Sequence, residues 1–334
     1  MKPSDAQRAM GRHHATSQAV MRSTVPCLLC AALGVALPAF AAAVALVPNQ
    51  GSATLSVVDT ATDQVVADIP AGTAPRGTAL SVDGQRAYVS DAPSKALLVI
   101  DVPGRRTLQA IPVGDSPEGV DISPDGRWVA VAVEESNDIV FVDTRDTTQT
   151  HVVKVPGKNP EHAVFSPDGR QVFVSAEDGR TIDVIDTLSW AVKTSIDVGS
   201  RPRGIGFLPD GSRAYVATEL ADEVAVIAVA SLKVIHKIPV GTRSNGIAVA
   251  PDGRTVYVSN GGDATVSAID VATDRVVATI AVGQRPWNMA LTPDGGKLYV
   301  ACGRSNQVSV VDARHNVALR AITVGKLPWG VSVR

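Results

Sequence analysis

The sequence predicts an all-β fold, a seven-bladed β-propeller in which each blade is a four-stranded antiparallel sheet. An aspartate–glycine pair recurs from Asp83-Gly84 to Asp294-Gly295 at a step of 42 residues, broken once by a step of 43. A second register of glycines, each closing a valine-rich run, recurs seven times, at Gly72, Gly114, Gly157, Gly199, Gly241, Gly283 and Gly325. A repeat of about 40 residues with short apolar runs and no helical periodicity is typical of propeller blades.

One repeat, residues 246–283, shows the four strands. Runs rich in Val, Ile, Thr and Tyr predict strands over residues 246–250, 255–259, 265–270 and 276–282. Pro251-Asp252-Gly253 predicts a tight turn between the first two strands, because proline presets φ and glycine accepts a positive φ. Asp270, which closes the third run, is expected to accept a hydrogen bond from a backbone amide of the following turn.

The two ends of the chain predict how the ring closes. Residues 44–47, 54–58 and 65–71 match the second, third and fourth strands of a repeat, and no first strand precedes them. Residues 328–333 match a first strand, after which the sequence given ends. We therefore predict one propeller domain over residues 42–334, with its first blade closed by a C-terminal strand so that no sheet edge stays free.

Residues 1–41 have the pattern of a signal peptide. An apolar run at residues 25–40 follows Arg22, and Ala39-Phe40-Ala41 matches a cleavage site. Met21 is an alternative start, because the signal pattern is complete from there. A periplasmic or secreted protein without a membrane span in the mature chain is expected. Cys302 would then be the one remaining cysteine, which excludes an intramolecular disulfide.

Composition and charge agree with a propeller and exclude a generally basic protein. Hydrophobic residues make up 45% of the chain and aromatic residues 4%, which suits sheets layered with Val, Ala and Ile. The 31 basic and 33 acidic residues give a formal net charge of −2. Binding of a polyanion would therefore need a local patch. We expect a monomer.

The candidate ligand-binding residues come directly after a proline that recurs at the start of the first strands. This position is predicted to lie at the channel mouth, where the loops between strands four and one meet the loops between strands two and three. A proline begins six of the seven first strands, and Ser244 stands in the other. The proline repeats, whereas the residue after it varies from blade to blade, which favours a ligand-binding role. These variable residues are Arg76, Glu118, Glu161, Arg203, Asn245, Trp287 and Trp329.

Arginines also precede this register in three successive blades, at Arg201, Arg243 and Arg285. The predicted site thus has an arginine–tryptophan arc facing an acidic arc of Glu118, Glu161 and their neighbours Glu134, Glu135, Glu177 and His162. Arginine beside tryptophan suits single-stranded nucleic acid or a flat anionic or quinone ligand. In the alternative arrangement the tryptophans cap the channel and the arginines pair with the glutamates.

Short strings within the repeats resemble the YVTN-repeat β-propeller family. They are Tyr88-Val89-Ser90-Asp91, Tyr257-Val258-Ser259-Asn260 and Tyr299-Val300-Ala301-Cys302, together with the Val-Gly-x-x-Pro-x-Gly strings at residues 198–204 and 324–330. The resemblance covers residues 44–334. It implies a secreted bacterial propeller, similar to members associated with quinone-cofactor (PQQ) dependent alcohol catabolism or with single-stranded DNA. The haem d1-binding propellers of denitrification are more distantly similar.

The sequence predicts a binding or scaffold protein that is not an enzyme. His151, His162, His236 and His315 stand in different blades, and no Ser-His-Asp set, phosphate loop or zinc cysteine spacing is present. We accordingly expect no catalytic residues, cofactor or metal, and a partner that is a ligand at the channel mouth, single-stranded nucleic acid or a periplasmic protein. The alternative is a metal-dependent, lactonase-like hydrolase in which Glu118, Glu161 and His162 supply the ligands.

Overall fold

Seven four-stranded antiparallel sheets make up residues 43–334, the part of the chain that this computed structural model describes. They form the blades of a propeller, which confirms the predicted fold. The predicted signal peptide lies outside the described residues.

Each blade runs from a strand at the central channel to a strand at the rim. The innermost strands are β4 (Pro75–Leu80), β8 (Pro117–Ile122), β12 (Pro160–Phe165), β16 (Pro202–Phe207), β20 (Ser244–Val249), β24 (Pro286–Leu291) and β28 (Ser332–Val333). The second strands are β1 (Val44–Asn49), β5 (Arg86–Asp91), β9 (Trp128–Val133), β13 (Gln171–Ala176), β17 (Arg213–Thr218), β21 (Thr255–Asn260) and β25 (Lys297–Cys302).

The outer half of each blade has the same regularity. The third strands are β2 (Thr54–Asp59), β6 (Ala96–Asp101), β10 (Asp138–Asp143), β14 (Thr181–Asp186), β18 (Glu223–Ala228), β22 (Thr265–Asp270) and β26 (Gln307–Asp312). The rim strands are β3 (Gln64–Pro70), β7 (Arg106–Pro112), β11 (Thr150–Lys154), β15 (Ala191–Asp197), β19 (Lys233–Pro239), β23 (Arg275–Ala281) and β27 (Val317–Thr323). A single 3₁₀ turn, Gly303–Ser305, interrupts this pattern within the described residues.

The first blade is closed by the C-terminus, as predicted. Its sheet has the order β28-β1-β2-β3, and β28 pairs antiparallel with β1 through Ala45–Val333 and Leu46–Ser332. The backbone amide of Trp329 donates to the Pro48 carbonyl at 2.9 Å, so the pairing extends upstream of β28. The blades β4–β7 to β24–β27 are numbered two to seven below.

Turn chemistry follows the sequence prediction. Gly253 has a φ of 69°, and its amide donates to the Ala250 carbonyl at 2.8 Å. Asp270 accepts a hydrogen bond from the Thr273 amide at 2.8 Å. Strand β20 begins two residues earlier than predicted, because Ser244 pairs with Asn260 ahead of a β-bulge.

Aromatic residues at one position of the second strands pack between blades. Tyr88, Phe173, Tyr215, Tyr257 and Tyr299 are all 2% exposed or less. The Tyr257 hydroxyl donates to the Ala313 carbonyl of the next blade at 2.5 Å. Their predicted structural role is confirmed. Across residues 43–334, no helix is long and apolar enough to cross a membrane.

Candidate functional site

A β-bulge near the start of each of β4, β8, β12, β16, β20 and β24 aims side chains at the channel mouth. In blade five the register shifts between Pro202 and Ile205, and in blade seven it shifts between Pro286 and Met289. Bulges redirect side chains from the sheet face. Arg203 and Trp287, which follow the prolines, therefore line the mouth.

Neighbouring blades hold these bulges in place. The Ser90 hydroxyl accepts a hydrogen bond from the Gly77 amide at 2.9 Å and donates to the Glu118 carbonyl of the next blade at 2.5 Å. Innermost strands also approach closely, since a Cβ added at Gly204 would lie 2.6 Å from the Asn245 carbonyl oxygen. The mouth is thus a rigid backbone ring that carries variable side chains.

These side chains surround a cavity of about 370 Å³. It is lined by Gln50, Arg76, Glu118, Glu134, Glu161, Glu177, Arg201, Arg203, Asn245, Arg285, Trp287, Asn288 and Trp329. All seven residues of the variable register line the cavity, together with Arg201 and Arg285. Three other predicted residues do not line it: Arg243, whose side chain is 57% exposed, Glu135 and His162.

The arginines of the mouth pair with its glutamates. Arg76 contacts Glu118, Arg201 contacts Glu177, and Arg203 contacts Glu161. The Arg203 Nη1 atom also donates to Glu177 Oε2 at 2.9 Å. The basic and acidic arcs therefore meet in ion pairs, the arrangement that the sequence analysis gave as the alternative to an open basic patch. A single-stranded nucleic acid partner stays a prediction.

Glu219 is the one central residue that sequence reasoning missed. Its side chain is 1% exposed, and it accepts from Arg203 Nε at 2.8 Å and from Arg285 Nη2 at 3.1 Å. Arg201 Nε lies 3.1 Å from the same carboxylate. A signal was available, because Glu219 belongs to the register of Glu134 and Glu177, one position after the second strand.

The two buried carboxylates of this network differ in acidity. Burial alone would raise the pKa of Glu219, but the charges of Arg203 and Arg201 and the hydrogen bonds from Arg203 and Arg285 hold its pKa below the usual value. For Glu177, burial dominates over the charge of Arg201, and neighbouring acids add to it, so its pKa is raised. Glu177 is therefore the better proton acceptor near neutral pH.

Opposite this network, the cavity wall is aromatic and amidic. Trp287 and Trp329 are half-buried, and the Trp287 ring packs so closely on Gly303 that a Cβ there would lie 2.6 Å from it. Asn245 and Asn288 stand beside them with amide groups that can donate and accept hydrogen bonds. The cavity therefore offers a stacking wall on one side and charges on the other.

His162 lies in a second cavity of about 220 Å³ further into the channel, which Trp329 also lines. The two rings are tilted, with centroids 5.6 Å apart. Burial lowers the pKa of His162 to about 4, so the imidazole is neutral at pH 7. The carboxylate of Asp121 lines the same cavity, and burial raises its pKa to about 6.

Glu118, Glu161 and His162, the ligands of the metal-dependent alternative, do not converge. Glu161 lies 3.9 Å from His162 Nε2, while Glu118 pairs with Arg76. Among residues 43–334, no group of three or more His, Cys, Asp and Glu side chains is placed to hold a metal ion.

Comparison with known sequences gives one family match. Residues 186–322 match the model of the family described as "Lactonase, 7-bladed beta-propeller". This segment runs from the end of β14 into β27 and contains Arg201, Arg203, Glu219, Arg285 and Trp287. No curated protein matches the chain in sequence.

Solved structures similar to this chain share its fold. Hydrazine synthase from Kuenenia stuttgartiensis is 24% identical with a TM-score of 0.73, over 79% of this chain and 90% of that one. A protein of unknown function from Desulfotomaculum acetoxidans DSM 771 is 17% identical with a TM-score of 0.76, over 87% and 98%. The dihydro-haem d1 dehydrogenase NirN, solved in complex with DHE, is 17% identical with a TM-score of 0.65, over 86% and 74%.

The prediction that the protein is not an enzyme is wrong on these comparisons. The family model that matches residues 186–322 is a lactonase model, and lactonases are enzymes. Sequence reasoning looked for histidine-based catalytic sets and metal ligands, and so it gave no catalytic role to the paired arginines and glutamates.

Proposed function

We propose that this propeller is a hydrolase that opens a lactone, or a similar cyclic ester, in the mouth cavity. The lactonase-family match supports the reaction class, and its segment includes half of the arginine–glutamate network. The observation that carries the proposal is Glu177, a buried carboxylate of raised pKa held between Arg201 and Arg203 at the cavity wall.

The proposed chemistry uses these side chains in turn. Glu177 removes a proton from a water molecule as the water oxygen attacks the lactone carbonyl carbon. The negative charge that develops on the carbonyl oxygen is stabilised by the guanidinium groups of Arg201 and Arg203. When the ring carbon–oxygen bond breaks, protonated Glu177 returns the proton to the leaving oxygen. The product is a hydroxy acid, whose new carboxyl group releases the second proton of the attacking water to solvent, and the resulting carboxylate pairs with the same guanidinium groups.

The opposite wall would hold the substrate ring. Trp287 and Trp329 offer flat apolar surfaces, and the amides of Asn245 and Asn288 can bond to ring substituents. Orientation of the ring against the charged half sets the distance between the carbonyl carbon and the attacking water.

The test is to incubate the protein with a panel of five- and six-membered lactones. Hydrolysis is measured as the acid released into weakly buffered solution. We expect turnover by the wild-type protein and a loss of about 10²–10⁴-fold in kcat for Glu177→Gln, the range for a general base. Trp287→Ala should mainly raise KM. Glu135→Gln is the matched control, because Glu135 is exposed and does not line the cavity.

Two results would contradict the proposal. One is the absence of hydrolysis for every lactone in the panel by folded protein. The other is a Glu177→Gln variant as active as the Glu135→Gln control, which would place the base elsewhere.

We also propose that the protein acts outside the cytoplasm. The support is the apolar run at residues 25–40 and the Ala39-Phe40-Ala41 string, both in the part of the chain that the structure does not describe. N-terminal sequencing of protein from the periplasm or medium should find a chain that begins at Ala42 or within a residue or two of it. Recovery of intact residues 1–41 from cytoplasmic protein would contradict this location.

A further inference from the structure

The face opposite the mouth carries a cleft of about 270 Å³ between blades three and four. The turns between strands one and two and between strands three and four form this face. Among the residues that line the cleft are Trp128, Phe165 and Trp190, with Asp125 and Asp168. Neither the mouth chemistry nor the closure of the ring uses these residues.

Two other blade junctions carry a cation–carboxylate pair at this place. Between blades five and six, the Arg213 Nη1 atom lies 3.1 Å from Asp274 Oδ1. Between blades seven and one, Lys297 Nζ lies 2.8 Å from Asp63 Oδ1, and the Tyr299 hydroxyl donates to the same oxygen at 2.5 Å. At both junctions a cation of the chain itself occupies the space between the blades.

The junction between blades three and four lacks this pair. Trp128 stands in the register of Arg213 and Lys297, Ala130 stands in the register of the tyrosines, and Trp190 stands in the register of Asp63 and Asp274. Trp190 has a φ of 51°, a left-handed conformation that is uncommon for a bulky residue. The cation and its carboxylate are thus replaced by two indoles, and the tyrosine ring is replaced by a methyl group.

The indoles form an ordered aromatic corner. The Trp128 and Trp190 ring centroids lie 5.0 Å apart at an interplanar angle of 66°. Trp190 also stacks on His151, with centroids 4.2 Å apart at 15°. Arg127, the neighbouring cation, is bonded to Asp143 Oδ2 at 3.0 Å, and its guanidinium carbon lies 5.1 Å from the Trp128 ring centre. The corner thus already holds one guanidinium group against an indole.

We propose that this cleft binds an organic cation, an alkylguanidinium or alkylammonium group, in the place that Arg213 and Lys297 occupy at other junctions. The indole faces would attract the cation through cation–π interactions, and the carboxylates of Asp125 and Asp168 would pair with it at the rim. The same group can come from a free amine or from an arginine or lysine side chain of a partner protein.

The experiment follows the four indole N–H signals of ¹⁵N-labelled protein during titration with butylguanidinium. Saturable shifts at millimolar concentration are expected for Trp128 and Trp190, with Trp287 and Trp329 of the mouth nearly unchanged. Butylurea, a neutral molecule of the same shape, should give much smaller shifts. The peptide acetyl-Gly-Arg-Gly-amide tests the protein source, and binding tighter than that of butylguanidinium would favour it.

Two variants separate binding from folding. Trp128→Arg restores the cation that the repeat has elsewhere and should abolish the shift of Trp190. Asp168→Asn changes almost no volume and keeps a side-chain oxygen that can accept from the Ser166 hydroxyl and the Arg170 amide. It should therefore weaken binding several-fold in a protein that remains folded, which its melting curve shows. Equal shifts with butylurea and butylguanidinium, shifts confined to the mouth tryptophans, or no saturable shift at all would overturn the proposal.

Discussion

At the scale of single residues, Glu219 organises the mouth. It is the most buried carboxylate of the network, and Arg201, Arg203 and Arg285 all lie within 3.1 Å of its oxygens. Three guanidinium groups so close together would repel one another without it. We expect substitution of the more exposed side chains of the network to have little effect on the fold, whereas substitution of Glu219 should destabilise it.

We therefore expect Glu219→Gln to lower the free energy of unfolding by about 3–5 kcal/mol, the usual cost of removing one partner of a buried ion pair. Chemical denaturation measures this difference. Glu135→Gln, on an exposed carboxylate of the same face, should change the stability by less than about 0.5 kcal/mol. Equal stability of the two variants would show that the arginines do not depend on Glu219.

At the scale of elements, the bulged innermost strands combine a backbone that recurs in each blade with one side-chain position that varies. The proline, the bulge and the close backbone approach recur from blade to blade, so the structure of the ring does not depend on the side chain after the proline. That side chain is free to vary, and the seven variants together make the cavity. The second strands, in contrast, are buried and repetitive.

The element with the fewest pairing contacts is β28, which closes blade one with two paired residues. Deleting residues 329–334 should expose the edge of β1, and we expect loss of soluble monomer or a large fall in melting temperature. A protein that begins at Ala42 with its C-terminus intact is the control and should keep the wild-type melting temperature. A deletion variant as stable as this control would refute closure by the C-terminal strand.

At the scale of the whole molecule, two groups in the channel oppose each other in their effect on stability. His162 has a folded pKa of about 4, below its ordinary 6.5, so its contribution to stability is lost as pH falls from 6.5 to 4. Asp121 has a folded pKa of about 6, above its ordinary 3.8, so its contribution is lost as pH rises from 4 to 6. Each group changes the free energy of unfolding by roughly 3 kcal/mol over its pH range. Because the two changes have opposite signs as pH varies, the stability of the wild type should vary little between pH 4 and 6.

Substituting one of the two groups should make the pH dependence of stability that the other group causes measurable. Asp121→Asn should be more stable than the wild type at pH 7 and should lose that advantage as the pH is lowered to 4, because Asp121 of the wild type is then protonated and no longer carries a buried charge. His162→Gln should instead lose stability as pH rises from 4 to 6. Melting temperatures across this pH range measure both slopes, and parallel curves for the two variants would contradict the opposition.

The repeat explains why the fold was predictable from the sequence. The repeated pattern limits local errors, so the strand boundaries predicted within a repeat differ from the structure by about two residues or fewer, as at β20. The closing strand differs more, because residues 328–333 were predicted and β28 spans only Ser332–Val333. The closure by residues 328–333 was also readable, because the missing first strand reappears at the other end of the chain. The seven variable residues after the proline position were also predicted correctly, because they occupy the same position in every repeat.

The sequence by itself therefore determined the blades, their order, the closure and the seven variable residues that follow the proline position at the mouth. Only the tertiary structure decided that Arg203, Glu177 and Glu219 form one network. It also decided that Arg243 does not line the cavity, although its guanidinium lies 3.7 Å from Glu219, and that His162 lines a separate cavity. The physical reason is that strand periodicity is a local property of the chain, encoded once per repeat. Which charges meet across a channel depends on distances between blades, and no single repeat contains that information.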